Sequence, residues 1–229
     1  MTRTLPPFYY FANSVLRQIL FPLMRVQVTV KGQENVPREG ALILVSNHLS
    51  LVDPPLLGTF IPRDLVMMSK AENFDRGGLS RWVTSNYGAF PIRRGAGDVG
   101  AIRHAMKVLK QGQALYIAPE GTRSITGYLR EPQEGVALLA VRSNVPIVPV
   151  GISGIEHFHK RVKRWQATPV HLSIGLPFRL RSPEPRPDRA MLEALSEAVM
   201  QRIAAELPLE YRGRFQETNE AQHLVELLA

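Results

Sequence analysis

The sequence contains no cysteine among its 229 residues. This absence excludes disulfide bonds, thiolate nucleophiles and metal sites built on thiolates. The sequence is also short of acidic residues, because 20 Asp and Glu stand against 28 Lys and Arg. The resulting net charge of +8 indicates partners that carry negative charge, such as nucleic acid, anionic lipid or a phosphorylated substrate.

The sequence also lacks a run of about 20 mostly apolar residues, which a membrane-spanning helix needs. Residues 5–24 have the length, but Asn13, Arg17 and Gln18 interrupt them, and no secretory signal pattern is present. The apolar residues of this stretch instead recur at helical spacing: Phe8, Phe11, Ala12, Val15, Leu16, Ile19, Leu20 and Leu23. This pattern predicts an amphipathic helix, which lies either in a membrane interface or on the protein's own core.

In the rest of the chain, short apolar segments alternate with segments of helical periodicity. Strands are predicted at 25–31, 41–45, 65–68, 114–118, 145–152 and 170–174, and helices at 56–60, 79–87, 98–111, 132–142 and 188–206. This alternation indicates the α/β class, a single sheet flanked by helices. We divide the chain into an N-terminal amphipathic, membrane-associating helix at 1–25, a main domain at 26–207 and a C-terminal tail at 208–229. For the tail, both a docking helix and partial disorder stay open.

A histidine and an aspartate follow the second predicted strand, at the end where α/β sheets bind ligands. Four residues separate His48 from Asp53, and Pro54 begins a predicted helix. A carboxylate that orients an imidazole makes a general base. Asp53 is equally suited to cap the helix. Because residues five apart lie far apart around a helix, the chain must turn between the two for them to meet.

Two other strand ends carry charged side chains. Arg93 and Arg94 follow one, and 120–123, which contain Glu120, Gly121, Thr122 and Arg123, follow the other. Guanidinium groups match phosphate oxygens, and a glycine lets the main chain approach a ligand closely. A base beside an anion site, without a thiol or metal-ligand spacing, fits transfer of a group to a hydroxyl of a phosphorylated acceptor.

Four segments resemble the four motifs of the glycerolipid acyltransferases, the lysophosphatidate acyltransferase family. They are NHLSLVDP at 47–54, GAFPIRRG at 88–95, PEGTRS at 119–124 and VPIVPV at 145–150, in the family's order and spacing. The sequence departs from the pattern at Arg93, where many members are acidic, and at Ala118, where an aromatic is common. The resemblance spans 32–175 and makes 26–207 an acyltransferase domain.

The resemblance implies transfer of a fatty acyl group from acyl-CoA or an acyl carrier protein (acyl-ACP) to lysophosphatidate, giving phosphatidate in phospholipid biosynthesis. His48 would take the hydroxyl proton and Asp53 would orient His48. The acceptor's glycerol phosphate would be bound by Arg94, Glu120, Gly121, Thr122 and Arg123. Another lysophospholipid and glycerol 3-phosphate stay open as acceptors. Ser50 is an alternative, acyl-enzyme nucleophile, but the absence of a G-x-S-x-G elbow favours direct transfer.

No cofactor beyond the acyl donor and no metal are expected. The expected partners are the lysophospholipid, acyl carrier protein or acyl-CoA, and a membrane surface, with no nucleic acid. Because the acceptor is a lipid, we expect a monotopic enzyme at the cytoplasmic face of the cell membrane, held by the amphipathic helix.

Two alternatives come from other functional classes. Residues 95–100 fit G-x-G-x-x-G, the dinucleotide pattern of an NAD-dependent oxidoreductase, although Asp98 would place a carboxylate beside the pyrophosphate. The basic run 160–165 is typical of a membrane- or nucleic-acid-binding module without catalysis, and we expect it to contact anionic lipid or an acidic carrier protein. His157 and His159 have the spacing of metal ligands but lack a third neighbour, so we expect them on a surface strand.

Overall fold

A computed structural model of the chain describes residues 5–75, 77–92, 98–184, 186–217 and 221–228. The strands are β1 Val26–Lys31, β2 Leu42–Ser46, β3 Leu65–Lys70, β4 Ala89–Ile92, β5 Ala114–Ile117, β6 Ile147–Ser153, β7 Thr168–Ile174, β8 Phe178–Leu180 and β9 Val225–Leu227. The α-helices are α1 Pro7–Val15, α2 Phe21–Leu23, α3 Asp53–Phe60, α4 Glu72–Asp75, α5 Gly78–Asn86, α6 Val99–Lys110, α7 Gly135–Ser143, α8 Phe158–Lys163 and α9 Arg189–Ala205. A π-helical segment, Leu16–Leu20, joins α1 to α2.

These strands form one mixed sheet, whose main path runs in the order β1-β7-β6-β2-β5-β3-β4. From β6 to β4 the strands are parallel, whereas β7 is antiparallel to β6 and β1 is parallel to β7. β8 and β9 form an antiparallel pair that joins the amino end of β6. The carboxyl ends of five strands therefore lie along one edge of the sheet, together with the amino ends of β1 and β7.

Helices cover both faces of the sheet, and β2 shows why. Leu42 and Leu44 face a core shared with α1, α3 and α8, whereas Ile43 and Val45 face a core shared with α6, α7 and α9. Every residue of β2 is buried, so the strand reads as a continuous apolar run rather than as an alternating one. The predicted α/β class with a single flanked sheet is confirmed.

The N-terminal segment is helical over 7–23, as predicted. Half of its predicted stripe lies on the surface, where Phe11, Ile19 and Leu23 are 66%, 56% and 57% exposed and Leu20 is also exposed. The other four residues of the stripe are half-buried: Phe8, Ala12, Val15 and Leu16. A different face, with Tyr9 and Phe21, is buried in the core. Among the described residues, no helix is both long enough and apolar enough to cross a membrane.

Asn13, predicted on the polar side of this helix, points inward instead. Its side-chain oxygen accepts hydrogen bonds from the hydroxyl of Thr59, at 3.2 Å, and from that of Tyr87. The hydroxyl of Tyr9 accepts the Leu65 N–H at 3.3 Å. The helix is thus fastened to α3, α5 and β3 by polar contacts as well as by apolar packing.

Two regions differ from the sequence interpretation or add to it. His157 is the N-cap of α8 and His159 lies within that helix, so their placement on a surface strand is wrong. The tail contributes β9, which pairs with β8, and it buries Phe215 and Leu224. The division of the chain at 25 and 207 stays a prediction.

Candidate active site

The loop between β2 and α3 brings His48 and Asp53 together. Nδ1 of His48 lies 2.8 Å from Oδ2 of Asp53, and that oxygen also accepts the main-chain N–H groups of Leu49 and Ser50, at 2.7 and 2.8 Å. Because Oδ2 already acts as an acceptor for two N–H groups, the proton that it shares with the imidazole belongs to Nδ1. Nε2 of the neutral ring keeps its lone pair, as a general base requires.

Asp53 does not cap α3. The helix begins at Asp53 itself, its N-cap is Val52, and no side chain caps it. The carboxylate therefore points back into the loop. Asp53 is fully buried, whereas the side chain of His48 is 15% exposed. The capping interpretation is wrong, and the arrangement holds a buried carboxylate behind an imidazole that reaches solvent.

The loop after β5 holds the main chain of His48 on both sides. Oε1 of Glu120 accepts the His48 N–H at 2.8 Å, and the Ser124 N–H donates to the His48 carbonyl at 2.8 Å. Oε2 of Glu120 accepts the Arg130 N–H at 3.1 Å. Burial raises the pKa of the Glu120 carboxyl to about 7, although its two N–H donors oppose the shift. Glu120 therefore positions the base, a role that the sequence did not reveal.

Asn47 attaches the same loop to β6. Its amide nitrogen donates to the Ile152 carbonyl at 2.8 Å, and its amide oxygen accepts the Ile152 N–H at 2.8 Å. The side chain thus replaces a strand residue and continues the pairing of the sheet beyond the end of β2. His48 is consequently held by segments that follow or belong to three neighbouring strands.

Ser50 is the alternative nucleophile that the sequence offers in this loop. It is 5% exposed, and its hydroxyl oxygen accepts the Val52 N–H at 3.3 Å. Within the described chain, no hydrogen bond joins Ser50 to the imidazole of His48. The geometry does not present Ser50 as an activated hydroxyl.

Gly121 makes the tight turn of the loop after β5. Its φ is +66°, its N–H donates to the Ala118 carbonyl at 3.0 Å, and a Cβ there would lie 3.0 Å from Cγ of Gln133. Turn geometry therefore explains the glycine. Its predicted approach to a ligand stays a prediction.

The predicted anion site is described on one side only. Arg123 is exposed, Thr122 is half-buried, and Arg123 takes part in none of the ion pairs found among the described residues. Its guanidinium is therefore not held by a carboxylate there. Arg94, which was predicted to face the same phosphate, falls in 93–97, outside the described residues.

The dinucleotide interpretation conflicts with the start of α6. Asp98 is the N-cap of this helix, and its carboxylate accepts the Ala101 N–H at 3.0 Å. A pyrophosphate would need that helix N-terminus for its own charge. The preceding strand, β4, lies at the end of the main strand path rather than in the centre of the sheet. The glycine-rich segment thus leads into an ordinary capped helix.

Comparison with known proteins identifies the family. A protein-family model described as Acyltransferase matches residues 27–153. The 1-acyl-sn-glycerol-3-phosphate acyltransferase of Bacillus subtilis is 28% identical over 199 residues, which are 85% of this chain and 94% of that protein. The lyso-ornithine lipid O-acyltransferase of Pseudomonas aeruginosa is 36% identical over 128 residues, which are 56% of this chain and 47% of that protein.

A solved structure shares the fold. The crystal structure of the 1-acyl-sn-glycerophosphate (LPA) acyltransferase PlsC from Thermotoga maritima superimposes with a TM-score of 0.65 at 28% sequence identity. The match covers 86% of this chain and 78% of that one. The shared architecture is the mixed sheet flanked by helices.

Proposed function

Because the chain belongs to the acyltransferase family, we propose that it moves a fatty acyl group from a thioester donor, acyl-CoA or acyl-ACP, to the free hydroxyl of lysophosphatidate, giving phosphatidate. The observation that carries the proposal is the 2.8 Å contact between His48 Nδ1 and Asp53 Oδ2, because it leaves Nε2 as the ring nitrogen that can act as the base. The names of the Bacillus and Thermotoga proteins support lysophosphatidate as the acceptor.

In the proposed reaction, Nε2 of His48 removes the proton of the acceptor hydroxyl while that oxygen attacks the carbonyl carbon of the thioester. The carbon–sulfur bond then breaks, and the thiolate leaves with the proton that His48 returns. Asp53 stabilises the imidazolium that exists between the two steps. General-base help of this kind is worth roughly 10²- to 10⁴-fold in rate. The hydrogen bond between Ser50 and Val52 supports direct transfer without an acyl-enzyme.

The oxyanion of the tetrahedral intermediate needs a hydrogen-bond donor. The main-chain N–H groups of His48, Leu49 and Ser50 all donate to carboxylates. We therefore infer that the donor lies outside these three residues.

For the acceptor, Arg123 would bind the phosphate with its guanidinium, together with Arg94, and Gly121 and Thr122 would line the glycerol side. The predicted contact of Glu120 with the acceptor is not kept in this proposal, because both of its carboxylate oxygens accept main-chain N–H groups. The exposure of Arg123, in the loop after the carboxyl end of β5, supports this assignment. A guanidinium forms two parallel hydrogen bonds to a phosphate, so its geometry contributes as well as its charge.

The proposed acceptor is a lipid, so the site must open onto a membrane. The exposed part of the stripe, Phe11, Ile19 and Leu23, suits an interface, because these side chains are large, apolar and exposed. We infer a monotopic enzyme on the cytoplasmic face of the cell membrane, with one leaflet receiving the stripe. Burial of apolar surface contributes about 25 cal/mol per Å², so insertion of the stripe would stabilise membrane binding by several kcal/mol.

The direct test of the reaction uses the purified full chain with lysophosphatidate and each of the two acyl donors. Glycerol 3-phosphate and lyso-ornithine lipid are tested as acceptors in parallel, the second because of the Pseudomonas relative. We expect phosphatidate from lysophosphatidate. If the enzyme preferred glycerol 3-phosphate or lyso-ornithine lipid, that molecule would replace lysophosphatidate as the proposed acceptor. The proposed role of His48 would not change.

Membrane contact is tested with point variants, because removal of the helix would also expose the core around Tyr9 and Phe21. Replacing Phe11, Ile19 and Leu23 together by serine should abolish flotation with liposomes in high salt. The matched control replaces Leu176 and Leu227, two exposed leucines outside the stripe. Equal flotation of both variants in high salt would rule out the stripe as the anchor.

A further inference from the structure

A basic groove of about 760 Å³ lies where the ends of α2 and α8 meet. Four of its eight lining residues are arginine or lysine and none is acidic: Arg25, Lys160, Arg161 and Arg164. Arg25 directly precedes β1, and α8 follows β6 in the connection to β7. The basic groove therefore lies on the edge of the sheet that carries His48, but it takes no part in the site described above.

Two of the four cations of the basic groove are held by main-chain carbonyl groups rather than by carboxylates. Nη1 of Arg25 donates to the Trp165 carbonyl at 3.1 Å, and Nη1 of Arg161 donates to the Ala167 carbonyl at 3.0 Å. Lys160 and Arg164 are exposed, and among the described residues neither forms an ion pair. The dipole of a six-residue helix favours one or two cations near its carboxyl end, but it does not account for Arg25, which lies in the turn between α2 and β1.

Trp165 stands at a position that disfavours it. The Trp165 N–H donates to the Val162 carbonyl and the Gln166 N–H donates to the Arg161 carbonyl, so α8 ends in a Schellman motif. Trp165 has a φ of +53° at the left-handed position of this motif, where glycine is usual. Its ring is nevertheless 63% exposed and so gains little from burial in the protein. Neither backbone preference nor core packing explains a tryptophan here.

We propose that the basic groove binds the phosphate head groups of anionic phospholipids, with the Trp165 ring at the level of the membrane interface. The apolar stripe ends at Leu23, two residues before Arg25, so chain continuity places the groove beside the stripe. Arginine forks match phosphate oxygens, and an indole combines an apolar body with a polar N–H, which suits an interface. The inference rests on the proposed membrane contact and adds the lipid class that it selects.

The test measures binding of the full chain to vesicles of phosphatidylcholine with and without phosphatidylglycerol at low salt. The groove variant replaces Lys160 and Arg164 by glutamine, because neither side chain has a described role in the fold. The matched control replaces Lys107 and Lys110, which are exposed at the end of α6, on the opposite edge of the sheet. Each basic residue at an anionic surface contributes roughly fivefold to partitioning, so the groove variant should bind phosphatidylglycerol vesicles about 25-fold more weakly.

The control should bind like the wild type. An equal loss in both variants would mean a general effect of net charge and would overturn the groove assignment, as would unchanged binding of the groove variant. Trp165 reports the site directly in a Trp82→Phe background, because the chain has only two tryptophans. Its emission should shift to the blue with phosphatidylglycerol vesicles.

Two further measurements identify which negatively charged group the basic groove binds. Displacement of the protein from vesicles by millimolar inorganic phosphate, or a Trp165 response to acyl carrier protein without vesicles, would overturn the lipid assignment. The acyl-transfer assay in detergent micelles separates this inference from the reaction itself. The groove variant should keep its turnover there, whereas His48→Ala should lose turnover and still bind phosphatidylglycerol vesicles.

Discussion

Two buried carboxylates meet the main chain around His48, and they are used differently. Asp53 concentrates three hydrogen bonds on Oδ2, one of them from the imidazole, while its Oδ1 has no protein partner in the described chain. Glu120 divides its bonds between both oxygens, and both donors are main-chain N–H groups. Asp53 contacts the imidazole and can therefore respond to its charge. Glu120 contacts only the main chain and sets the position of His48.

The largest effect should come from the base that both carboxylates serve. His48→Ala should lower kcat by about 10²- to 10⁴-fold, the usual share of general-base catalysis. Turnover and the urea midpoint are measured together, with His171→Ala, an exposed histidine on β7, as the control. Retention of more than a tenth of wild-type turnover would contradict the role of His48.

Asp53→Asn tests whether charge or geometry matters at the first carboxylate. An asparagine oxygen in place of Oδ2 can accept the same three hydrogen bonds without the charge, while the amide NH2 takes the place of Oδ1, which has no partner in the described chain. We expect kcat to fall roughly 10- to 100-fold, less than for His48→Ala, with an unchanged KM. A loss equal to that of His48→Ala would show that Asp53 does more than orient and stabilise the imidazole.

Glu120→Gln should act more weakly and through position. A glutamine can accept only one of the two N–H groups, because its amide nitrogen is a donor, so we expect about a tenfold loss of kcat from one lost hydrogen bond. Glu120→Asp, which keeps both acceptor oxygens on a shorter side chain, is the comparison variant. If Glu120→Gln turned over like the wild type, the carboxylate would not position His48.

Glu120→Gln should also change how the free energy of unfolding depends on pH. The folded-state pKa of Glu120 is raised by burial to about 7 from its ordinary value of 4.5, so its contribution to folding is complete below pH 4.5 and is lost as pH rises through 7. The loss amounts to about 3 kcal/mol, and Glu120→Gln, which cannot ionise, avoids it. Urea denaturation at pH 5 and pH 8 should therefore show the variant gaining on the wild type as pH rises. Parallel pH profiles would contradict the raised pKa.

The smallest effect is expected at the surface of the second loop. Arg123→Lys keeps the charge but loses the forked geometry, so the KM for lysophosphatidate should rise severalfold, equivalent to about 1 kcal/mol. The KM for the acyl donor should not change. Arg103→Lys, an exposed change on α6, serves as the control. An effect confined to the donor would move Arg123 to the donor side of the site.

The contact between His48 and Asp53 was predictable because its signal is local. His48 and Asp53 lie five residues apart, after an apolar run and before two prolines, and the family motif contains both. The hydrogen bonds that hold the loop around His48 were not predictable. The bond from His48 to Glu120 spans 72 residues and that from Asn47 to Ile152 spans 105. Each uses a main-chain group, which every residue type carries, so no residue pattern marks it.

The N-terminal helix shows the same division. Its extent followed from helical periodicity, but the π-helical segment shifts the register of its faces, and Asn13 turned inward to meet Thr59 and Tyr87. The short elements α4, α8, β8 and β9 lack enough residues to show a period. Their conformations depend on the neighbours that they pack against.

The sequence by itself determined the alternation of strands and helices, the edge of the sheet where the candidate site lies, and the pairing of His48 with Asp53. These features depend on hydrophobic periodicity and on motifs within a few residues. Only the tertiary structure decided that Asp53 binds His48 rather than capping α3, that Glu120 holds the His48 main chain, and which residues of the predicted stripe are exposed. Each of these depends on which distant segment lies opposite a given side chain, and that is set when the whole sheet assembles.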